Sequence, residues 1–480
     1  MALHDLDYSA VRRQFLTRTS AGLGAAAVSG LLNPELFAGP AGRAFSGSGA
    51  LGQPHFPAKA KRVIYLFMAG GPSHIDLWDP KPTLQKQNGK ELPKSVRGKQ
   101  RITLMTRDQK QLLVAASPMK FKKYGESGQV LNEHMPHLGR VADELAIIRS
   151  LYSEPINHDP AVNMIQTGAG RVGRPCMGSW VSWGLGSENK NLPDFVVLLS
   201  GTKGQPVLSR YYHSGFLPSR HQGVQFQSKG DPVLFLSDPE GIDRQTRGQL
   251  IGAINELNQR RLEIVGDPEI EARIDSFELA FRMQTKVPDL MDISQEPKHI
   301  HDLYGTKPGE VSFANNCLLA RRLVERGIRF VQLYQRGWDM HRDIKQRVPQ
   351  MCQTVDRPIG ALIEDLKRRG LLDETLIIWG GEFGRTTYCQ GELKPTFGRD
   401  HHPRCFSMWM AGGGIQGGIT YGRTDDYGYN IVENQVHVHD FQATALHCLG
   451  IDHEKLTFRF QARDQRLTDI GGNVVNDLLA

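Results

Sequence analysis

Short, uninterrupted apolar runs recur along the chain from residue 61 onward, and most lead into a polar, glycine-rich segment. A run without polar alternation is typical of a strand buried on both faces, as in a parallel sheet. Two runs follow predicted helices, over 316–326 and 359–369, which are each closed by a glycine. Helices alternating with buried strands predict an α/β fold, a doubly wound and mostly parallel sheet flanked by helices. The runs cover residues 63–68, 145–148, 195–199, 328–333, 375–379 and 406–410.

Residues 203–309 follow a different pattern. Charged, amphipathic helices are predicted over 244–265 and 269–286, and few β-like runs accompany them. We therefore expect one large α/β domain over 61–480 that contains a mainly helical insertion at 203–309.

The first 44 residues have the features of an export signal. Arg12 and Arg13 precede Phe15 and Leu16, as in a twin-arginine core, and a weakly apolar run follows at 21–32. This run is shorter than the roughly 20 apolar residues that a membrane helix needs. The pattern predicts a signal peptide at 1–44, a linker at 45–60 and a periplasmic or extracellular protein with no integral membrane segment in the mature chain.

The charge balance narrows the range of partners. The 58 Lys and Arg residues exceed the 51 Asp and Glu residues by only seven, so the positive charge is too dilute to predict nucleic-acid binding, although it suits a small anionic substrate. The six cysteines are scattered without a Cys-x-x-Cys spacing, which excludes a zinc-finger framework. No haem-attachment or dinucleotide motif supports a redox function.

Histidine and carboxylate residues cluster next to the predicted strands. Four clusters follow strands, and since the carboxyl ends of parallel strands meet at one edge of a sheet, we expect these four to converge there, with a fifth entering from an adjoining loop. Imidazole and carboxylate groups are the donors that Zn²⁺ uses, and two ions held close together would clamp a sulfate or phosphate ester and activate a water. The clusters lie within 70–79, 157–160, 337–343, 380–386 and 398–403.

Four of these motifs, at 70–76, 337–341, 381–386 and 398–403, resemble the DUF1501 family of exported bacterial proteins, and the resemblance extends from residue 61 to the C-terminus. That family is similar to distant members of the alkaline phosphatase and sulfatase superfamily. The resemblance implies an alkaline-phosphatase-like fold and a divalent metal, zinc first, with calcium or manganese as alternatives. The implied metal ligands are Asp76 with His74 as its substitute, Asp339, His341, Glu382, and His401 or His402.

The nucleophile position departs from the sulfatase pattern. Thr167 and Gly168 match the end of the sulfatase motif, and Pro160 then matches its proline, which places His158 where a sulfatase has Cys or Ser. A formylglycine-type sulfatase is therefore not expected. His158 could act as nucleophile, metal ligand or general acid, and Arg385 is a candidate for neutralising an anionic substrate.

Together these features predict an exported, metal-dependent hydrolase that acts on a small sulfate or phosphate ester. The alternative is a non-catalytic exported binding protein that keeps the fold with a degenerate site, which the missing nucleophile and Phe383 favour. In the superfamily a histidine follows the carboxylate at the position of Phe383.

The export prediction can be checked by changing Arg12 and Arg13 to lysine. Since the twin-arginine pathway depends on this pair, the double variant should remain in the cytoplasm, as measured by cell fractionation. An unchanged periplasmic yield would remove the argument for this route.

Overall fold

A computed structural model of the chain describes residues 49–201, 203–227, 232–233 and 241–480. The expected signal peptide at 1–44 and the first residues of the linker lie outside this part. Two compact units are present, a larger one formed by Gly47–Ser237 with Leu279–Ala480, and a smaller one that includes Asp238–Glu278. Among the helices in the part of the chain that the structure describes, none is long and apolar enough to cross a membrane.

The strands of the described residues are short, and most belong to the larger unit's central sheet. They are β1 (Arg62–Ala69), β2 (Phe121–Tyr124), β3 (Gln129–Asn132), β4 (Leu145–Tyr152), β5 (Phe195–Ser200), β6 (Val224–Phe226), β7 (Phe330–Arg336), β8 (Thr375–Gly380), β9 (Gly384–Gln390), β10 (Gly398–His402), β11 (Phe406–Ala411), β12 (Ile419–Tyr421), β13 (Arg423–Thr424), β14 (Ile431–Glu433), β15 (Val436–His437), β16 (Phe458–Phe460) and β17 (Arg463–Gln465).

The central sheet has the order β12-β4-β11-β8-β1-β7-β5-β6, and β15 also pairs with β4. Its pairings are parallel except those of β11, which runs antiparallel to both β4 and β8. Because β11 lies between β4 and β8 and is antiparallel to both, β4 and β8 run parallel to each other. The carboxyl ends of β1, β4, β7 and β8 therefore lie at the same edge of the sheet, where the polar clusters begin.

The helices of the described residues are more varied in length than the strands. They are α1 (His74–Leu77), α2 (Pro82–Lys86), α3 (Lys94–Arg97), α4 (Leu104–Arg107), α5 (Pro136–Gly139), α6 (His158–Thr167), α7 (Met177–Leu185), α8 (Arg244–Val265), α9 (Pro268–Met291), α10 (Lys298–Tyr304), α11 (Phe313–Glu325), α12 (Ile344–Arg368) and α13 (Val438–Cys448). Short 3₁₀ turns complete the connections.

Strand β1 shows why the apolar runs predict this sheet. Ile64, Leu66 and Met68 point into a core shared with α11 and α12, whereas Tyr65 and Phe67 point into a second core shared with α6, α7 and α13. A strand covered on both faces needs apolar side chains at every position, which is the pattern in the sequence. The prediction of a mostly parallel sheet flanked by helices is confirmed.

Helix α12 is longer than its prediction, which began at residue 359. Pro349 and Pro358 lie inside it, and a proline in a helix interior costs about 3 kcal/mol. Seven large apolar side chains of the same helix are buried, and each gains about 2 kcal/mol from burial: they are Ile344, Val348, Val355, Ile359, Leu362, Ile363 and Leu366. Packing of the buried face thus outweighs the two prolines.

In the smaller unit, α8 has the predicted bounds 244–265, and the Asp243 carboxylate caps it by accepting the backbone N–H of Thr246 at 2.7 Å. The expected, mainly helical insertion at 203–309 includes the helices α8, α9 and α10. Strand β6, in its first part, pairs with β5 in the central sheet.

His221 is a buried histidine whose hydrogen bonds require the neutral ring. Its Nδ1 donates to Ser182 Oγ at 2.7 Å, and its Nε2 accepts from Arg220 Nε at 3.1 Å. Burial and the neighbouring Arg220 charge lower the pKa of His221 to about 3. Protonation would break the bond from Arg220 and place a second cation beside it.

Replacing His221 by Gln should make the protein less sensitive to acid. An unfolded histidine has a pKa of about 6.5, so between pH 6.5 and 3 only the unfolded chain binds this proton, and the free energy of unfolding falls as pH falls. From pH 7 to pH 5 the expected loss from this group is about 2 kcal/mol. Urea unfolding at both pH values should show a loss of stability between pH 7 and pH 5 that is about 2 kcal/mol smaller in His221→Gln than in the wild type. The exposed His134→Gln is the control, and equal pH dependence in all three proteins would contradict the assignment.

Candidate metal centre

Four side chains converge at the strand-end edge of the sheet. His158 follows β4, Asp339 and His341 follow β7, and His401 lies on β10, and one ligand atom from each lies within 4.8 Å of the others. His158 and His401 are buried, while the side chains of Asp339 and His341 remain 18% and 22% exposed. The group is therefore enclosed on one side and open to solvent on the other.

Two glycines allow the loops to come this close. A Cβ on Gly70, at the end of β1, would lie 2.3 Å from the backbone nitrogen of Asp339, and Gly70 also has a φ of +119°. A Cβ on Gly398, at the start of β10, would lie 2.0 Å from the backbone carbon of His341. Any side chain at either position would push the loop that carries Asp339 and His341 out of place.

The distances among the donor atoms suit a single small ion. Asp339 Oδ1 lies 2.8 Å from His341 Nε2 and 3.3 Å from His158 Nε2, and the Nε2 atoms of His341 and His401 are 3.1 Å apart. Nitrogen and oxygen ligands around tetrahedral zinc are separated by about 3.4 Å. Three imidazoles and one carboxylate thus present a donor set that fits a divalent metal.

The outward-facing nitrogen of each histidine is held by an oxygen. His158 Nδ1 donates to Glu382 Oε1 at 2.5 Å, His341 Nδ1 to the side-chain oxygen of Gln390 at 2.5 Å, and His401 Nδ1 to the backbone oxygen of Ile156 at 2.8 Å. With the proton on Nδ1, the lone pair of every Nε2 faces the centre. The buried Nε2 of His158 has no hydrogen-bond partner, as expected of an atom positioned to bind an ion.

The protonation of the cluster follows from its charges. Burial alone would raise the pKa of Asp339, but the nearby rings of the three histidines and the charge of Arg385 hold that pKa well below its usual range. Burial lowers the pKa of His401 to about 4, and Arg385 adds to this effect. For His158, burial is outweighed by the carboxylates of Asp339 and Glu382, which raise its pKa. An ion would therefore meet an ionised aspartate and a neutral His401.

A family model described as "Protein of unknown function (DUF1501)" matches residues 60–479. The chain belongs to the DUF1501 family. The resemblance found in the sequence motifs is thus confirmed. No curated protein matches the sequence.

Solved structures similar to this DUF1501 chain include hydrolases. The sulfatase PsFucS1 from a Pseudoalteromonas species is 12% identical, with 84% of this chain and 69% of that chain covered and a TM-score of 0.36. A protein of the alkaline phosphatase superfamily from Vibrio parahaemolyticus is 10% identical, with 83% and 68% covered and a TM-score of 0.35. A phosphonate monoester hydrolase from Silicibacter pomeroyi is 11% identical, with 81% and 73% covered and a TM-score of 0.32. At these values the likenesses assign no activity.

Among the metal ligands predicted for this DUF1501 protein, Asp339, His341 and His401 lie in the cluster. Glu382 lies behind it, since its carboxylate accepts from His158 and from the backbone N–H of Gly70 at 3.0 Å. His158, for which the sequence left a ligand role open, is the fourth member. Metal binding by these residues stays a prediction.

The structure does not bring Asp76, His74 or His402 to the cluster. The Asp76 carboxylate accepts two hydrogen bonds from the Arg399 guanidinium, at 2.7 and 3.1 Å, and both side chains are fully buried. His74 and His402 each place Nε2 2.8 Å from a backbone oxygen, that of Gly428 and Tyr429 respectively. These predicted ligands are thus occupied in holding the surrounding loops together.

Arg385 lies beneath the cluster instead of lining its open face. Its guanidinium donates to the backbone oxygens of Gly70, Gly71 and Arg399 and to Asp339 Oδ1 at 2.7 Å, and its side chain is only 1% exposed. The geometry makes Arg385 the counterion that positions Asp339. Its predicted role in neutralising a substrate stays a prediction.

Gln390 and the carbonyl of Ile156 hydrogen-bond to the candidate metal centre, and the sequence motifs did not identify them. Each orients one histidine of the cluster, yet neither residue type marks a metal site. Only the pairing of β9 with β10 brings Gln390 near His341, so no local signal could have identified it.

Removing one donor of the cluster should cost at least tenfold in metal affinity, because the remaining three cannot complete the coordination shell. We expect His158→Ala, Asp339→Ala, His341→Ala and His401→Ala to lose zinc in equilibrium dialysis with metal analysis.

Two variants serve as controls. His402→Ala removes a neighbouring histidine outside the cluster, and Cys389→Ala removes a buried thiol; both should keep their zinc. Full metal content in Asp339→Ala and His341→Ala, with the fold intact by circular dichroism, would show that the cluster is not a metal centre.

Proposed function

We propose that this protein is an exported, metal-dependent hydrolase of sulfate or phosphate esters. The observation that supports it most is the set of three imidazoles with fixed tautomers around one ionised carboxylate, partly open to solvent. Zinc is the metal we propose, because imidazole and carboxylate are its usual ligands. Calcium prefers six to eight oxygen ligands, which this donor set does not supply.

Charges next to the cluster favour an anionic substrate. His158 is the first residue of α6, so the positive end of that helix lies beside the donors. The adjacent Asp159 would oppose an anion, but its carboxylate accepts hydrogen bonds from Arg210 at 2.6 Å and from the Tyr211 hydroxyl at 2.8 Å. Because these hydrogen bonds partly neutralise the Asp159 carboxylate, the net charge near the open face of the cluster is shifted toward positive.

In the proposed mechanism, His158, Asp339, His341 and His401 would hold the cation. When bound, it would supply Lewis acidity toward an oxygen of the ester. Arg385 keeps Asp339 ionised and fixed, and Glu382 retains the Nδ1 proton of His158, so that both donors stay in place as charge changes at the ester.

Water is the nucleophile in this proposal. Within the described residues, the side chains that form hydrogen bonds or ring contacts with the four donor side chains are Gln205, Glu382, Phe383, Arg385 and Gln390, and none of these carries a hydroxyl or thiol. Attack of water on sulfur or phosphorus breaks the ester bond and releases an alcohol together with inorganic sulfate or phosphate. The alcohol oxygen leaves with a proton that the water supplies.

The alternative, a non-catalytic exported binding protein, is favoured by one specific contact. The Phe383 ring packs against the rings of His158 and His401, at centroid distances of 4.8 and 4.5 Å. This apolar ring lies where the superfamily has a further histidine, so the site lacks one donor that its relatives use. Such a site could hold one ion and an anion without turnover.

The test is an ester panel on the purified protein. After chelation and reloading with zinc, we expect hydrolysis of 4-nitrophenyl sulfate or 4-nitrophenyl phosphate, lost on chelation and restored by metal. His158→Ala should lose zinc and turnover together, whereas Cys389→Ala should keep both.

Other outcomes have distinct meanings. A His158→Ala protein that keeps its zinc but loses turnover would make His158 a nucleophile or an acid–base group. A stably bound ion in the wild type without turnover of any ester would favour the binding protein over the hydrolase.

A further inference from the structure

Much of the chain's excess positive charge lies in one short segment, residues 94–110, which we call the basic segment. It contains six Lys and Arg residues and a single acid, Asp108, so it supplies five of the seven net positive charges of the whole chain. All of these cations except the half-buried Arg97 are exposed. Within the described residues, the ion pair they form is Arg107 with Asp108, at 3.4 Å and on the surface. The positive charge of this segment is therefore largely unneutralised.

Two large apolar side chains protrude from the middle of the basic segment. Leu104 is 75% exposed and Met105 is 46% exposed, both on α4. They point outward because Thr103 and Thr106, on the inner side, donate hydrogen bonds to the carboxylate of Asp400, which is fully buried. The threonines anchor the turn, so the exposure of Leu104 and Met105 is fixed by the structure.

We propose that the basic segment docks this protein on an anionic lipid surface. Lysine and arginine side chains are attracted to anionic headgroups, and apolar side chains between them can enter the headgroup and acyl boundary. A soluble polyanion would account for the cations but would gain nothing from Leu104 and Met105. The combination of both features in one anchored turn favours the lipid surface.

The basic segment is connected to the candidate metal centre by direct contacts. Met105 Sδ lies 3.9 Å from Gln390 Nε2, and Gln390 orients His341. Asp400, which holds the two threonines, also accepts the backbone N–H of His401 at 2.8 Å. Docking would therefore bring the metal centre near the lipid headgroups, although the docking itself does not depend on the proposed activity.

The proposal is tested by vesicle co-sedimentation of the full chain at low salt. We expect binding to phosphatidylcholine vesicles that contain a third phosphatidylglycerol and none to pure phosphatidylcholine. The double variant Leu104→Ser with Met105→Ser should bind about tenfold more weakly, and so should Lys99→Gln with Arg101→Gln. Matched controls are Ile470→Ser and Lys298→Gln, whose side chains are highly exposed elsewhere on the chain.

The N-terminal apolar run is the same in every variant, so it cannot account for differences in vesicle binding among them. Absence of binding to the anionic vesicles, or wild-type binding by both double variants, would overturn the proposal. Binding to soluble dextran sulfate as strong as to the vesicles, and unchanged by the Leu104 and Met105 substitutions, would identify a polyanion site in place of a lipid surface.

Discussion

The guanidinium of Arg385 holds together three segments of the chain next to the candidate metal centre. It bonds the carbonyls of Gly70 and Gly71 after β1, the carbonyl of Arg399 on β10 and the carboxylate of Asp339 after β7. A buried cation is stable only when its donors are all engaged, so the loops must adopt this mutual arrangement for the charge to be accommodated. Placement of the donors follows from that requirement.

A second buried arginine, which belongs to β10 itself, is held in a similar way. Arg399 donates to Asp76 and to the carbonyls of Ala115 and Thr386. Each arginine pairs with one of the two aspartates that the sequence motifs predicted as metal ligands, but only one of these aspartates lies in the cluster. Asp339 keeps an oxygen near three imidazoles, whereas both oxygens of Asp76 face Arg399.

The sequence could predict what depends on local pattern. The apolar runs identified the central strands, because strands buried on both faces are apolar along nearly their whole length, as β1 is after Arg62 and as β8 is. The β9–β10 hairpin was not predicted, because β10 is made of Gly-Arg-Asp-His-His and owes its strand form to pairing with β9. The pairing of Asp76 with Arg399 could not be predicted either, since the two residues lie 323 positions apart in the sequence. Metal identity, activity and export stay predictions.

The spacing of the four donors along the chain has a consequence for the order of assembly. Asp339 and His341 are close in sequence, but His158 precedes Asp339 by 181 residues, and His401 follows His341 by 60 residues, on the β9–β10 hairpin. Closing such long loops has an entropic cost, and that cost is smaller once the intervening elements have folded. A partly folded chain would therefore present at most two of these donors to a metal ion. Tight metal binding would then distinguish the completely folded protein from a partly folded one.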